Sequence, residues 1–244
     1  MKGEVLLEVE GLAKRFGGVH AVADLSFQVR EGEILGMIGP NGSGKTTTFN
    51  LITGFYRPDR GRVRFAGREI TGLPPYEVCA RGICRTFQIA KPFRELTVLR
   101  NVMMGTLLRH PDPPVARARA EEVLRAVGLA ERAQMEAGSL TTIDQRRLEV
   151  ARALGTEPRA LLLDETMAGL NPTETGEAMR LIQGLRDRGL TVVVVEHVMR
   201  AVMSLSDRVV VLDQGAKIAE GTPAEISSDR RVIEAYLGAE YRRA

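Results

Sequence analysis

The 244-residue chain is long enough for one large domain, or for a core with one insertion, and it can bury a hydrophobic core without disulfides or metals. Lys and Arg number 34 against 31 Asp and Glu, and this mild +3 balance, with both signs scattered, gives no sign of the clustered basic face that nucleic acid calls for. Two cysteines exclude a disulfide scaffold, and apolar runs such as Leu161–Leu163 and Val192–Val195 fall far short of the roughly 20 residues of a spanning helix. The first residues carry acids at Glu4, Glu8 and Glu10, where a secretory leader would be apolar, so a cytosolic chain is expected.

In chain order, residues 5–10, 25–30 and 62–66 are short, partly alternating runs bounded by glycine and predict antiparallel strands. Ile34–Ile38 begins a second class, continuously apolar, as strands buried on both faces of a parallel sheet are; Ala160–Leu163, Thr191–Val195 and Val209–Leu212 follow it. Helical patterns at Lys45–Gly54, Gln145–Leu154 and Thr173–Arg188 alternate with these strands, which predicts an α/β core. From about Lys91 to Thr156 the alternation stops. That stretch has helical patterning, a Pro-rich loop at His110–Pro114 and no strand, and it predicts a helical insertion. Asp229–Tyr241 predicts an amphipathic terminal helix.

Gly39-Pro40-Asn41-Gly42-Ser43-Gly44-Lys45-Thr46 fits G-x-x-x-x-G-K-[ST], after a predicted strand and at the start of a predicted helix. The glycines let successive backbone N–H groups turn inward as an anion nest, and the helix dipole favours negative charge there. The run from Gly39 to Thr47 is therefore the expected nucleotide phosphate cradle, with Lys45 reaching the β- and γ-phosphates and Thr46 a ligand of Mg²⁺. Ala160-Leu-Leu-Leu-Asp-Glu165 supplies the acidic strand end that a metal-bound triphosphate needs. Asp164 is expected to hold a water of the Mg²⁺ shell, and Glu165 to orient and deprotonate the attacking water.

Phe16 in Ala13-Lys-Arg-Phe-Gly, Gln88 in Arg85-Thr-Phe-Gln and His197 after Thr191–Val195 are weak signals singly. In this order around the phosphate loop and the acidic strand end, the chain resembles the ATP-binding cassette (ABC) ATPases from about Leu6 to Leu237. The resemblance implies a P-loop NTPase (RecA-like) core with an N-terminal antiparallel β-subdomain and an inserted α-helical subdomain. It implies a nucleotide-binding core from residues 1–90 and 157–228, a helical subdomain at 91–156 for permease coupling and the signature, and a C-terminal helix at 229–244. Phe16 would stack on adenine, Gln88 would reach Mg²⁺, and His197 would contact the γ-phosphate. Catalysis would rest on Glu165, His197 and Lys45, and the metal on Thr46, Gln88 and Asp164, with ATP and Mg²⁺ as the cofactors.

Ala168-Gly-Leu-Asn-Pro172, Gln145-Arg-Arg-Leu-Glu149, Ala219-Glu-Gly-Thr-Pro223 and Val232-Ile-Glu-Ala-Tyr-Leu-Gly238 look like the ATPase subunits of branched-chain amino acid importers. That resemblance implies a subunit peripheral on the cytoplasmic face of the membrane. Its partners would be two transmembrane permease subunits, a second ABC ATPase subunit and, indirectly, an external substrate-binding protein. A urea or amide importer, a lipopolysaccharide exporter and a soluble non-transport ABC ATPase remain alternatives. The family's Leu-Ser-Gly-Gly-Gln signature is replaced here by Leu140-Thr-Thr-Ile-Asp144. Ile143 puts a β-branched side chain where a glycine lets the backbone approach a partner's γ-phosphate, which favours a heterodimer over a homodimer. Thr166 and Asn171 also depart from the common pattern, and Cys79 and Cys84 read as free packed thiols.

Overall fold

A computed structural model describes residues 3–87 and 91–241; Gln88 therefore lies outside the described residues. The first sheet has the order β2-β1-β4-β5, from β1 (Val5–Phe16), β2 (Val19–Arg30), β4 (Arg60–Phe65) and β5 (Arg68–Glu69), with every pair antiparallel. The strands expected at 5–10 and 25–30 are the more buried halves of longer ones. Their more exposed halves stay in the sheet because they find cross-strand partners, Lys14 opposite Val22 and Phe16 opposite Val19, with register shifts absorbing the irregular sequence.

The second sheet has the order β10-β9-β3-β8-β7-β6. Its strands are β3 (Ile34–Ile38), β6 (Ile83–Arg85), β7 (Ala160–Asp164), β8 (Thr191–Val195), β9 (Arg208–Asp213) and β10 (Ala216–Gly221). All pairings are parallel except β9 with β10. Every residue of β3, β7 and β8 is buried, as their unbroken apolar runs require. One face packs on the antiparallel sheet and on α1 (Lys45–Ile52), through Phe27, Phe49 and Phe65. The other face packs on α6 (Pro172–Asp187) and α7 (Met199–Leu205), through Leu161, Leu163, Val192 and Val194.

Two boundaries differ from expectation, each for a local reason. The first helix stops at Ile52, and Gly54 lies beyond it with φ +79°. The Pro-rich loop is shorter than expected, because Pro113 and Pro114 open α4 (Pro113–Ala126) rather than preceding it. The terminal helix expected at Asp229–Tyr241 is α9 (Arg230–Tyr241), preceded by a short helix, α8 (Pro223–Ser228), capped by Thr222 and Glu225. α2 (Pro75–Ala80), β6, α7 and β10 are too short to show a clear pattern in the sequence.

The helical insertion is present, with its own core. α3 (Val98–Thr106), α4 and α5 (Thr142–Leu154) bury Val98, Val102, Leu124, Leu140 and Leu148 together. α4 turns Ala116, Ala120 and Leu124 inward, a spacing of four that lines one helix face. Gly105 admits α5 closely: a Cβ there would lie 2.7 Å from the Arg152 carbonyl oxygen. Asn101, fully buried on α3, accepts the Phe93 N–H at 2.9 Å and donates to the carbonyls of Phe93, Leu96 and Thr97. It thereby anchors the chain just after residues 88–90 to the insertion. Asn101→Ala orphans several buried backbone groups, and the expected cost is about 2–3 kcal/mol. Urea denaturation checks this, and a loss below about 0.5 kcal/mol would show that water replaces these bonds.

Candidate nucleotide site

β3 and α1 present the phosphate loop, residues 39–46, at the carboxyl edge of the parallel sheet. Gly39, Gly42 and Gly44 have φ of +153°, +82° and +103°, which L side chains rarely adopt. A Cβ on Gly39 would also collide with the Leu212 carbonyl. Ser43 and Lys45 are buried, Thr46, Asn41 and Gly42 are exposed, and Pro40, Gly44 and Thr47 are half-buried. Lys45 Nζ donates to the carbonyls of Gly39 (2.8 Å) and Pro40 (2.9 Å) and to Ser43 Oγ (3.3 Å). Burial lowers the pKa of this ammonium, while the nearby Glu165 and Asp164 carboxylates raise it. The first N–H groups of α1 have no intrahelical acceptor, so the loop ends in backbone donors beside a buried cation.

Asp164 ends β7 at 1% exposure. Its Oδ2 accepts Arg85 Nη2 at 2.9 Å, while its Oδ1 is buried with no protein partner. Burial raises the Asp164 pKa and the Arg85 guanidinium opposes the rise; burial in turn lowers the pKa of Arg85, and Asp164 opposes that. Arg85 also donates to Asn50 Oδ1 of α1 at 2.5 Å and to the Thr86 carbonyl, and its guanidinium lies 4.7 Å from the centre of the Phe87 ring. The Phe87 N–H in turn donates to Glu149 Oε1 on α5 at 2.6 Å, and burial raises the Glu149 pKa.

The next residue, Glu165, has φ +50°, a strained conformation for a non-glycine residue. Its Oε1 lies 2.6 Å from His197 Nε2. The structure thus brings Lys45, Asp164, Glu165 and His197 to one edge of the sheet. Phe16 lies at the end of β1, 43% exposed, with its ring edge-on to Tyr56 at 5.2 Å. Tyr56 was not legible as a neighbour of Phe16, because it lies forty residues on.

Four further residues escaped the sequence reading. Arg85 and Asn50 were hidden because their contacts are not local, although a lone Arg in the apolar strand β6 is a signal. Glu196 follows the apolar strand β8 and is 2% exposed. Its Oε1 accepts the Met167 N–H at 2.6 Å and its Oε2 has no partner; burial pushes its pKa up to about 6. Tyr236 of α9 is pushed up to about 12 by burial, opposed by a bond from the Gly39 backbone. Thr166 and Asn171 have clear local work: the Thr166 carbonyl accepts Arg146 at 3.0 Å, and Asn171 caps α6 in a capping box with Glu174. In the signature segment, Thr141 caps α5, and Asp144 is buried against the Thr141 hydroxyl. Among the described residues, no cluster of His, Cys, Asp and Glu forms a preassembled metal site.

Two family models match the chain. One, described as ABC transporter, covers residues 22–168, and one described as Branched-chain amino acid ATP-binding cassette transporter covers residues 216–242. The chain is 44% identical over 250 residues to the high-affinity branched-chain amino acid transport ATP-binding protein BraF of Pseudomonas aeruginosa, covering 96% of this chain and 98% of that protein. It is 45% identical over 251 residues to the corresponding protein LivG of Salmonella typhimurium, with the same coverage. A solved ATP-binding cassette of an ABC transporter, in its ADP conformation, superposes with a TM-score of 0.87 at 32% identity, covering 96% of this chain and 99% of that one.

Glu196 carries the pH prediction. Its folded-state pKa of about 6 lies above the ordinary 4.5, so the native state binds a proton that the unfolded chain releases. The carboxyl's contribution is fully present below about pH 4.5 and is lost as pH rises through about 6. Glu196→Gln removes that dependence. Relative to this variant, the wild type should therefore lose about 2 kcal/mol between pH 4.5 and 7.5. Paired denaturation curves measure this, and a pH-independent difference would overturn it.

Proposed function

The chain belongs to the ABC transporter family, and on that premise we propose that it is the ATP-hydrolysing subunit of an importer of branched-chain or related amino acids. The observation that carries the site assignment is the convergence of Lys45, Asp164, Glu165 and His197 at the carboxyl edge of one parallel sheet, with Glu165 bonded to His197. The similarity to BraF and LivG along nearly the whole chain supports the cargo class.

Phosphoryl transfer to water asks the protein for positioning and charge neutralisation. Lys45 Nζ is held by two neutral carbonyls and a hydroxyl, and the β- and γ-phosphate oxygens would replace these with charged acceptors. The glycine loop and the start of α1 supply further donors. Mg²⁺ fits beside Asp164, whose buried Oδ1 lacks a protein partner, and beside the exposed Thr46 at the start of α1; Gln88 is assigned with them on the resemblance alone. When bound, the metal supplies positive charge to the developing phosphoryl transition state. Glu165 accepts the proton of the attacking water. His197 pairs with Glu165 at 2.6 Å before nucleotide arrives, and its imidazole can turn from there to a γ-phosphate oxygen. Phe16, exposed at the end of β1 and set edge-on to Tyr56, supplies an adenine platform.

No helix among the described residues is long and apolar enough to cross a membrane. We assign the membrane passage to two permease chains, with this subunit peripheral on the cytoplasmic side and a substrate-binding protein outside. The helical insertion at 91–156 is the part assigned to permease contact, joined to the nucleotide-binding core of residues 1–90 and 157–228. A partner cassette with an intact signature would complete the site built on this chain's phosphate loop.

Glu165→Gln should retain ATP binding and lose about 10²–10⁴-fold in turnover, as loss of a general base requires. Nucleotide titration and phosphate release measure the two separately, and near-normal turnover would overturn the assignment. Turnover of this chain alone should be low and should rise on adding the partner cassette; strong activity alone would contradict the heterodimer. Co-purification of the permease chains identifies the cargo, and permeases for urea or for lipopolysaccharide would overturn the amino-acid reading.

A further inference from the structure

Arg85 is a charged residue in a strand whose other residues are apolar, and its side chain is only 6% exposed. Three acceptors and the rings of Phe49, Phe55 and Phe87, of which Phe87 is nearest, surround its guanidinium. Nη2 holds Asp164 Oδ2 at 2.9 Å, Nη1 holds Asn50 Oδ1 on α1 at 2.5 Å, Nε bonds the Thr86 carbonyl, and the Phe87 ring covers one face. A guanidinium is planar and directs its donors as a fork, so occupying these partners fixes its plane. That plane in turn fixes which oxygen of Asp164 is engaged. Oδ2 is held, and Oδ1 is left buried and unpartnered.

The pair also connects outward. Phe87, against the guanidinium, is tied by its N–H to Glu149 of α5 at 2.6 Å. On the far side of residues 88–90, Arg152 of α5 donates to the Lys91 carbonyl at 2.8 Å and lies 4.9 Å from the Phe93 ring centre. Glu149 and Arg152 are three apart on one helix face, so α5 grips the chain on both sides of that segment.

Resting on the reading of Asp164 as the metal-side carboxylate, we propose that Arg85 is a positioning residue for the divalent cation: it presents Asp164 Oδ1 to the metal's water and links the cation's arrival to α5 through Phe87 and Glu149. The fork selects the rotamer of the carboxylate before the metal comes. A cation drawing on Asp164 then alters the Arg85 bond, and the stacked Phe87 and the helix bonded to it sense the change.

The test uses the full chain with a non-hydrolysable ATP analogue. Binding of the analogue is followed against free Mg²⁺, and bound Mn²⁺ is counted by electron paramagnetic resonance. Arg85→Met keeps the apolar stem and removes the fork; it should raise the cation midpoint by about 10–100-fold, the usual effect of losing a group that orients a ligand. Affinity for the analogue in chelator should change by less than about 2-fold. Arg85→Lys, with a point charge that cannot span Asn50 and Asp164 together, should fall between. If Arg85→Met fails to fold, Asn50→Ala loosens the fork while leaving the buried charges paired, and its midpoint should rise by a few-fold.

Hydrogen exchange in α5 should respond to Mg²⁺ in the wild type and not in Arg85→Met. An unchanged cation midpoint in a folded Arg85→Met protein overturns the proposal. Equal losses with and without cation also overturn it, because they mark a general support of the nucleotide pocket. A persisting α5 response overturns the link to that helix. A wild-type chain that binds nucleotide without any cation dependence overturns instead the reading of Asp164 on which the proposal rests.

Discussion

Three strands buried on both faces lie side by side and parallel, and their register decides what can meet at their ends. Met37 of β3 stands opposite Val195 of β8, and Val195 stands opposite Asp164 of β7. The phosphate loop, the acidic pair and the Glu196-His197 pair therefore leave the sheet at one level. Antiparallel strands would send alternate ends to opposite edges. Parallel order needs long crossovers, and helices fill them on both faces. The crevice beyond the carboxyl ends is the consequence.

The same constraint obliges the protein to bury charge. Lys45, Arg85, Asp164, Glu149 and Glu196 all lie below 10% exposure at or beside this edge. None is buried bare: Lys45 has three acceptors, Arg85 has a carboxylate, an amide and an aromatic face, and Glu149 and Glu196 each accept a backbone N–H. Two carboxylate oxygens are nevertheless left without a protein partner, Asp164 Oδ1 and Glu196 Oε2. Glu196 answers by holding a proton more tightly, since its pKa rises to about 6. Burial raises the pKa of Asp164 as well, but Arg85 opposes that rise, and the free oxygen calls for a cationic or hydrogen-bearing partner from outside the chain.

Much of this was readable from local sequence. Gly39 to Thr46 gives its geometry away because the glycines are needed where the backbone must take positive φ, and Asp164 and Glu165 stand out after four apolar residues. The helical insertion was visible as a stretch without strand alternation, and its separate core confirms that reading. The side chains that tune the edge were not readable. Arg85 meets Asp164 across 79 positions and Phe87 meets Glu149 across 62, so no spacing rule connects them. Short elements such as β6 and β10 were missed for a related reason: two to six residues carry too little pattern, and pairing to a neighbouring strand decides their state.

The altered signature is a well-built helix start rather than a decayed one. Thr141 accepts the Asp144 N–H as the cap, Asp144 is buried within 3.5 Å of Arg132 and 3.9 Å of Arg147, and Arg146 reaches the Thr166 carbonyl just past Glu165. Ile143 lines an apolar cavity of about 360 Å³ between the insertion and the core, with Leu163 and Leu181. The substitution therefore suits this chain's own packing, and what it removes is close approach of backbone at position 143 by anything outside. Under the proposed assembly, an identical copy would need the glycine for that approach. This supports the proposed pairing with a partner of different sequence, one that would bring its own intact signature to the phosphate loop on this chain.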